Sequence, residues 1–173
     1  LYGTLLVPPG NATRWPVALF IAGSGPTDRD GNSGPSVTNN SLKFLAEGLA
    51  AHGIASLRYD KRGVGASRGA LVAEDQIRFS DYVDDAAGWI AMLRADTRFS
   101  TVVVIGHSEG SLLGMMAAVR EPRADGLVSV NGAGRPLPDV MREQLTRDAP
   151  NDPLTIEALA ELDTLVAGHH ITK

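Results

Sequence analysis

The run Gly106-His107-Ser108-Glu109-Gly110 sets a serine between two glycines, each two positions away. In such a G-x-S-x-G pattern the serine oxygen is a nucleophile for acyl transfer, held on a sharp strand-to-helix turn that strains its backbone and lifts the hydroxyl clear of the sheet. The glycines leave room for the crossing chains. The N–H of Glu109, unpaired at a helix N-terminus, is then available to a developing oxyanion. In a chain with 19 glycines the pattern arises by chance about one time in ten, so its surroundings decide. Residues 101–105 are an apolar, β-branched run leading straight into the motif, and Leu112, Leu113, Met115 and Met116 follow on what should be a helix. This is the strand, turn and helix that the chemistry requires.

A second oxyanion donor is expected from Ala22-Gly23-Ser24-Gly25-Pro26, which follows an earlier apolar strand. Small residues there let backbone approach a substrate closely. Ser24 is the expected donor, as the residue after the strand-ending Gly23, with Gly25 its nearest rival.

These residues must be carried by a regular frame. Residues 1–7 and 17–21 are β-prone runs separated by a turn cluster of Pro8, Pro9, Gly10 and Asn11. Residues 41–52 place Leu42, Leu45 and Leu49 on one helical face, with Gly53 as terminator. Residues 55–59 read as a buried strand. Ser80 is the expected cap of a helix running to Ala95, with Val83, Ala87, Ile90 and Leu93 facing inward. A helix over 109–120 and a strand over 127–130 complete the series. Strands alternating with helices predict an α/β fold with a largely parallel sheet. From Pro136 the alternation stops, and the tail reads as helix, with Asp152 as N-cap, Pro153 first in the helix, and Ile156, Leu159, Leu162 and Val166 on one face.

Composition narrows the partners. The chain has 173 residues, with 16 Lys plus Arg against 20 Asp plus Glu and a net charge of −4. It contains no basic cluster to attract nucleic acid or an anionic membrane. Polyanionic partners are therefore disfavoured, and a small-molecule partner stays open. No apolar stretch reaches the roughly 20 residues of a membrane span, so a soluble chain is expected, cytoplasmic or exported after loss of a leader. There are no cysteines, which excludes a disulfide frame and a thiol nucleophile. No metal-binding, dinucleotide or phosphate-loop pattern is present, so neither cofactor nor metal is expected.

Three features occur in order: the Gly-rich loop, the stretch Tyr59-Asp60-Lys61-Arg62-Gly63-Val64-Gly65-Ala66-Ser67, and the G-H-S-E-G turn. Together they resemble the α/β-hydrolase superfamily. Residues 23–32 and the D-x-R-G-x-G-x-S pattern of 60–67 are similar to those of bacterial serine esterases. The resemblance covers residues 1–135, the N-terminal part of such a core, and 136–173 then fall where many members insert a helical cap. It implies Ser108 as nucleophile, with the oxyanion held by Ser24 and Glu109. It also implies that the 60–67 loop is architectural, built on turns and an Asp–Arg network, while Asp28, Arg29 and Asp30 form a solvated turn or line the pocket.

The same resemblance expects an acid after a seventh strand and a histidine after an eighth, and the alternation here stops earlier. His52 is expected at the surface and His107 is expected to point away from Ser108. His169 and His170 follow in the right order without a strand to hold them, and Asp139 is a weak candidate acid. The resulting expectation is a serine carboxylester hydrolase whose triad acid and base lie outside this chain. A serine peptidase or acyltransferase of the same fold is an alternative, as is a non-catalytic binding module. The last strand would then be an open sheet edge, inviting self-association or a complementing fragment.

Overall fold

The computed structural model describes residues 1–34, 36–71 and 76–171. The chain forms two compact units, Leu1–Gly132 and Ala133–Lys173.

The first unit is a five-stranded sheet of β1 (Gly3–Leu6), β2 (Trp15–Ile21), β3 (Ala55–Tyr59), β4 (Phe99–His107) and β5 (Gly126–Val130), in the order β1-β3-β2-β4-β5. All neighbours are parallel except β1, which runs antiparallel to β3 with Leu5 opposite Leu57. The opening strand therefore bypasses β2, its neighbour in sequence, and caps an edge. Tyr2 accepts from the Asp60 N–H at 3.0 Å and donates its own N–H to the Ser67 hydroxyl at 2.9 Å.

Three helices cross between the parallel strands: α1 (Ser41–Ala51), α2 (Phe79–Ala95) and α3 (Glu109–Arg120). Side chains alternate across a strand, and β2 shows the result. Val17, Leu19 and Ile21 join a core with Val83, Ile90 and Leu113 from α2 and α3, while Ala18, Phe20 and Ala22 pack with Leu42 and Ala46 of α1. A strand covered on both faces has no polar side, which explains its unbroken apolar sequence.

Several expectations shift in detail. Leu45 is half exposed, and Ala46 takes its place in the α1 contact with the sheet. Helix α2 begins before the expected cap Ser80. The Asp81 carboxylate accepts from the Arg78 N–H at 2.8 Å, so Asp81 does the capping from the third helical position and the helix gains its start at Phe79. Gly53 ends α1 as expected, with a φ of 77° and its N–H on the Ala50 carbonyl.

The second unit holds α4 (Leu137–Asp148) and α5 (Pro153–Val166), tied by an Arg142–Asp163 ion pair at 2.6 Å. Asp152 caps α5 by accepting from the Thr155 N–H at 3.1 Å. Its buried stripe carries Thr155 and Leu162, whereas Ile156 and Val166 are exposed. Leu159 and Leu162 thus lie on the inward side as expected, while Thr155 takes the place of Ile156 at the start of the face.

Candidate active site

Strand β4 ends at His107, and α3 begins at Glu109. Ser108 alone makes the turn, with φ 54° and ψ −121°, a conformation that few residues other than glycine adopt. Its N–H donates to the Val130 carbonyl at 2.9 Å, and its own carbonyl accepts from the Ser111 N–H at 3.0 Å. The buried Ser111 hydroxyl donates to the Gly106 carbonyl at 2.6 Å, closing the turn from beneath.

The flanking glycines are required sterically. A Cβ on Gly106 would lie 2.2 Å from the Gly110 carbonyl oxygen, and one on Gly110 would lie 2.2 Å from the Ile21 oxygen. Helix α3 therefore starts in direct contact with the end of β2. As the first residue of α3, Glu109 has an N–H with no carbonyl one turn earlier to accept it.

Gly23 brings the early loop to the same place. A Cβ there would sit 3.3 Å from the Ser108 Cβ and 3.1 Å from the His107 Nδ1. The Gly23-Ser24 peptide thus runs beside the turn. Ser24 is exposed and, with Ser108, Thr27 and Leu42, borders a cavity of about 370 Å³. A second cavity, of about 540 Å³, lies on the Glu109 side and is bordered by Pro26, Lys61, Phe79 and Tyr82.

Lys61 is 4% exposed. Its ammonium donates to the Gly23 carbonyl at 2.5 Å and to the Glu109 carboxylate at 3.2 Å. Sequence reading placed Lys61 in an architectural loop and assigned it nothing. The available signal was a lysine just beyond a fully buried strand, at the carboxyl end where sites in parallel sheets form.

The rest of that loop is a scaffold. Asp60 accepts from the Arg29 N–H at 2.8 Å, from the Arg29 guanidinium at 2.6 Å and from the Ala66 N–H at 2.9 Å. Arg62 forms a two-pronged pair with Asp85 of α2, at 2.8 Å for each prong. The Asp–Arg network is present, with partners outside the motif. Arg29 joins it through Asp60 and Asp30 through Arg58, at 2.9 Å, while Asp28 stays in a turn of its own, where it accepts from the Asp30 and Asn32 N–H groups.

His52 is exposed and its Nδ1 lies 2.9 Å from the Gly48 carbonyl oxygen. His107 borders the smaller cavity beside Ser108, its Nδ1 against Gly23. Among the described residues, no hydrogen bond joins a histidine to the Ser108 hydroxyl. Asp139 is exposed in the first turn of α4, and His169 and His170 follow α5. Among the described residues there is no cluster of three His, Cys, Asp or Glu that would hold a metal, and no helix long and apolar enough to cross a membrane.

Residues 38–157 match the hydrolase family described as serine aminopeptidase, S33. The chain belongs to this family. Within the α/β-hydrolases it is also similar to Esterase EstD of Thermotoga maritima, at 35% identity over 147 residues, 84% of this chain and 33% of the relative. The chain thus spans about a third of that esterase's length. The fold is shared with Est1E of Butyrivibrio proteoclasticus, solved with ferulic acid, at a TM-score of 0.61 and 20% identity over 82% of this chain and 52% of that one. It is shared too with a serine hydrolase without a lid from Xanthomonas campestris, at a TM-score of 0.54 and 23% identity over 77% and 56% of the two chains.

Proposed function

We propose that Ser108 is the nucleophile of a serine carboxylester hydrolase, with the N–H groups of Ser24 and Glu109 holding the oxyanion. The observation that carries this reading is the left-handed backbone of Ser108 at the junction of β4 and α3. Strain of this kind persists only where the surroundings enforce it, and here Gly106, Gly110 and Ser111 do so. The 35% identity to an esterase favours an ester as substrate.

In the reaction, the Ser108 oxygen bonds to the ester carbonyl carbon and the carbonyl electron pair moves onto oxygen. The serine proton passes to a base and then to the departing alcohol as the C–O bond breaks. Water repeats the sequence on the acyl-enzyme and releases the acid. In this reading the base and its orienting carboxylate come from outside these 173 residues. The reach of the chain, a third of its esterase relative, supports that assignment.

The family description favours a second reading, a peptidase acting on a substrate with a free amino end. Assays of the protein at its full natural length, with a p-nitrophenyl acyl ester beside an aminoacyl p-nitroanilide, separate the two. The expected result is ester turnover that Ser108→Ala lowers by about 10⁴-fold or more. Retained turnover in Ser108→Ala overturns the nucleophile, and faster anilide than ester cleavage selects the peptidase. Full ester turnover by these 173 residues alone would refute an external base.

A further inference from the structure

The 540 Å³ cavity and an ion pair with Glu109, the residue after Ser108, meet at one buried side chain, Lys61. A buried ammonium is costly unless its protons find acceptors. Its two acceptors here are informative. One is the carbonyl of Gly23, at 2.5 Å, and the other is the carboxylate of Glu109, at 3.2 Å, while the Tyr82 ring centre lies 6.0 Å away.

The Gly23 carbonyl belongs to the same peptide group as the Ser24 N–H. No cis peptide is present among the described residues, so this carbonyl and N–H point in opposite directions across one plane. An ammonium on the carbonyl therefore fixes the plane and turns the Ser24 N–H away from Lys61. It also polarises the amide, which makes the N–H a stronger donor. The second acceptor is the side chain of Glu109, whose own N–H opens α3. One buried charge is thus joined to the peptide group that carries the Ser24 N–H and to the side chain of Glu109, whose own N–H is the other proposed oxyanion donor.

We infer that Lys61 is a positioning residue that pre-organises both oxyanion donors, by orienting the Gly23-Ser24 peptide and anchoring Glu109. The inference rests on the Ser24 and Glu109 reading above. It explains a lysine in preference to an arginine: a compact ammonium serves two divergent acceptors, whereas a planar guanidinium suits a flat, paired one. Lys61 makes no bond to Ser108 and acts only through the donors. Oriented donors of this kind account for much of the rate in acyl transfer.

The test compares Lys61→Met with the unchanged protein at its full natural length, using a p-nitrophenyl ester and a trifluoromethyl ketone, which forms a tetrahedral oxyanion adduct on serine. The expected result is a kcat lower by about ten- to a hundredfold with KM nearly unchanged, and ketone affinity reduced in parallel with kcat/KM. A role in folding alone would lower the melting temperature without that parallel loss. Unchanged kcat, or a change confined to KM, overturns the inference. Should Lys61→Met fail to fold, Glu109→Ala removes one anchor and keeps the backbone N–H. A smaller loss in kcat and ketone affinity supports the inference, and no loss overturns it. If Ser108→Ala is inactive while Lys61→Met keeps its kcat, only the role of Lys61 falls; if Ser108→Ala remains active, the nucleophile reading falls first.

Discussion

Asp60 is a carboxylate held at the edge of the core, 2% exposed. Burial by itself would raise its pKa. Hydrogen bonds from the Arg29 side chain and the Ala66 and Arg29 N–H groups, with the Arg29 charge, outweigh burial and leave it below the ordinary carboxylate value. A carboxyl depressed in the folded state stabilises the fold fully above its unfolded pKa, and that contribution is lost as pH falls through the lower folded value. Asp60→Asn should therefore cost about 2 kcal/mol at neutral pH and make the melting temperature less sensitive to acid. An acid profile identical to that of the unchanged protein would contradict this. The sequence marked Asp60 as structural, and Gly65 too, which holds a φ of 50° and whose Cβ would fall 2.4 Å from the Asp60 carboxylate. It did not disclose that the charge partner is Arg29, or that Arg62 belongs to Asp85. Those pairings depend on how distant elements cross, and no local pattern encodes that.

Among the elements, the contact of α3 with β2 governs the site. The helix approaches so closely that Gly110 faces the carbonyls of Ile21 and Ala22 at 2.2 and 2.7 Å from a notional Cβ. Backbone cannot yield as a flexible side chain does, so Gly110→Ala must push α3 outward and move Ser108 with it. The expected cost is about 1–3 kcal/mol or more, visible in denaturant unfolding, and turnover should fall further than stability alone explains. A variant as stable and as active as the parent would mean that the helix has slack. The bounds of α3 could be read from the sequence because its periodicity and the G-x-S-x-G turn agree. The start of α2 could not, nor could the choice of Thr155 over Ile156 on the buried face of α5. Asp81 competes with Ser80 for the cap, and a helix with apolar residues on several sides can bury any of a few adjacent stripes.

At the scale of the molecule, the sheet has two unlike edges. The β1 edge is short and tied to the 60–67 loop through Tyr2. Among the described residues the β5 edge pairs with β4 alone, and it leaves Leu127 and Val128 partly exposed. An apolar edge strand with free backbone groups is a template for further strand pairing. These 173 residues, studied alone by sedimentation, should gain mean mass as concentration rises, and Val128→Lys should suppress the gain. A constant monomer mass at high concentration would count against this.

The same edge bears on the chemistry. Ser108 donates its N–H to Val130, the last residue of β5. The proposed nucleophile is thus one hydrogen bond from the border of the sheet, which braces its strained backbone alongside Gly106, Gly110 and Ser111. Disorder at that border would loosen the serine from one side, so the edge strand and the proposed nucleophile share part of their rigidity.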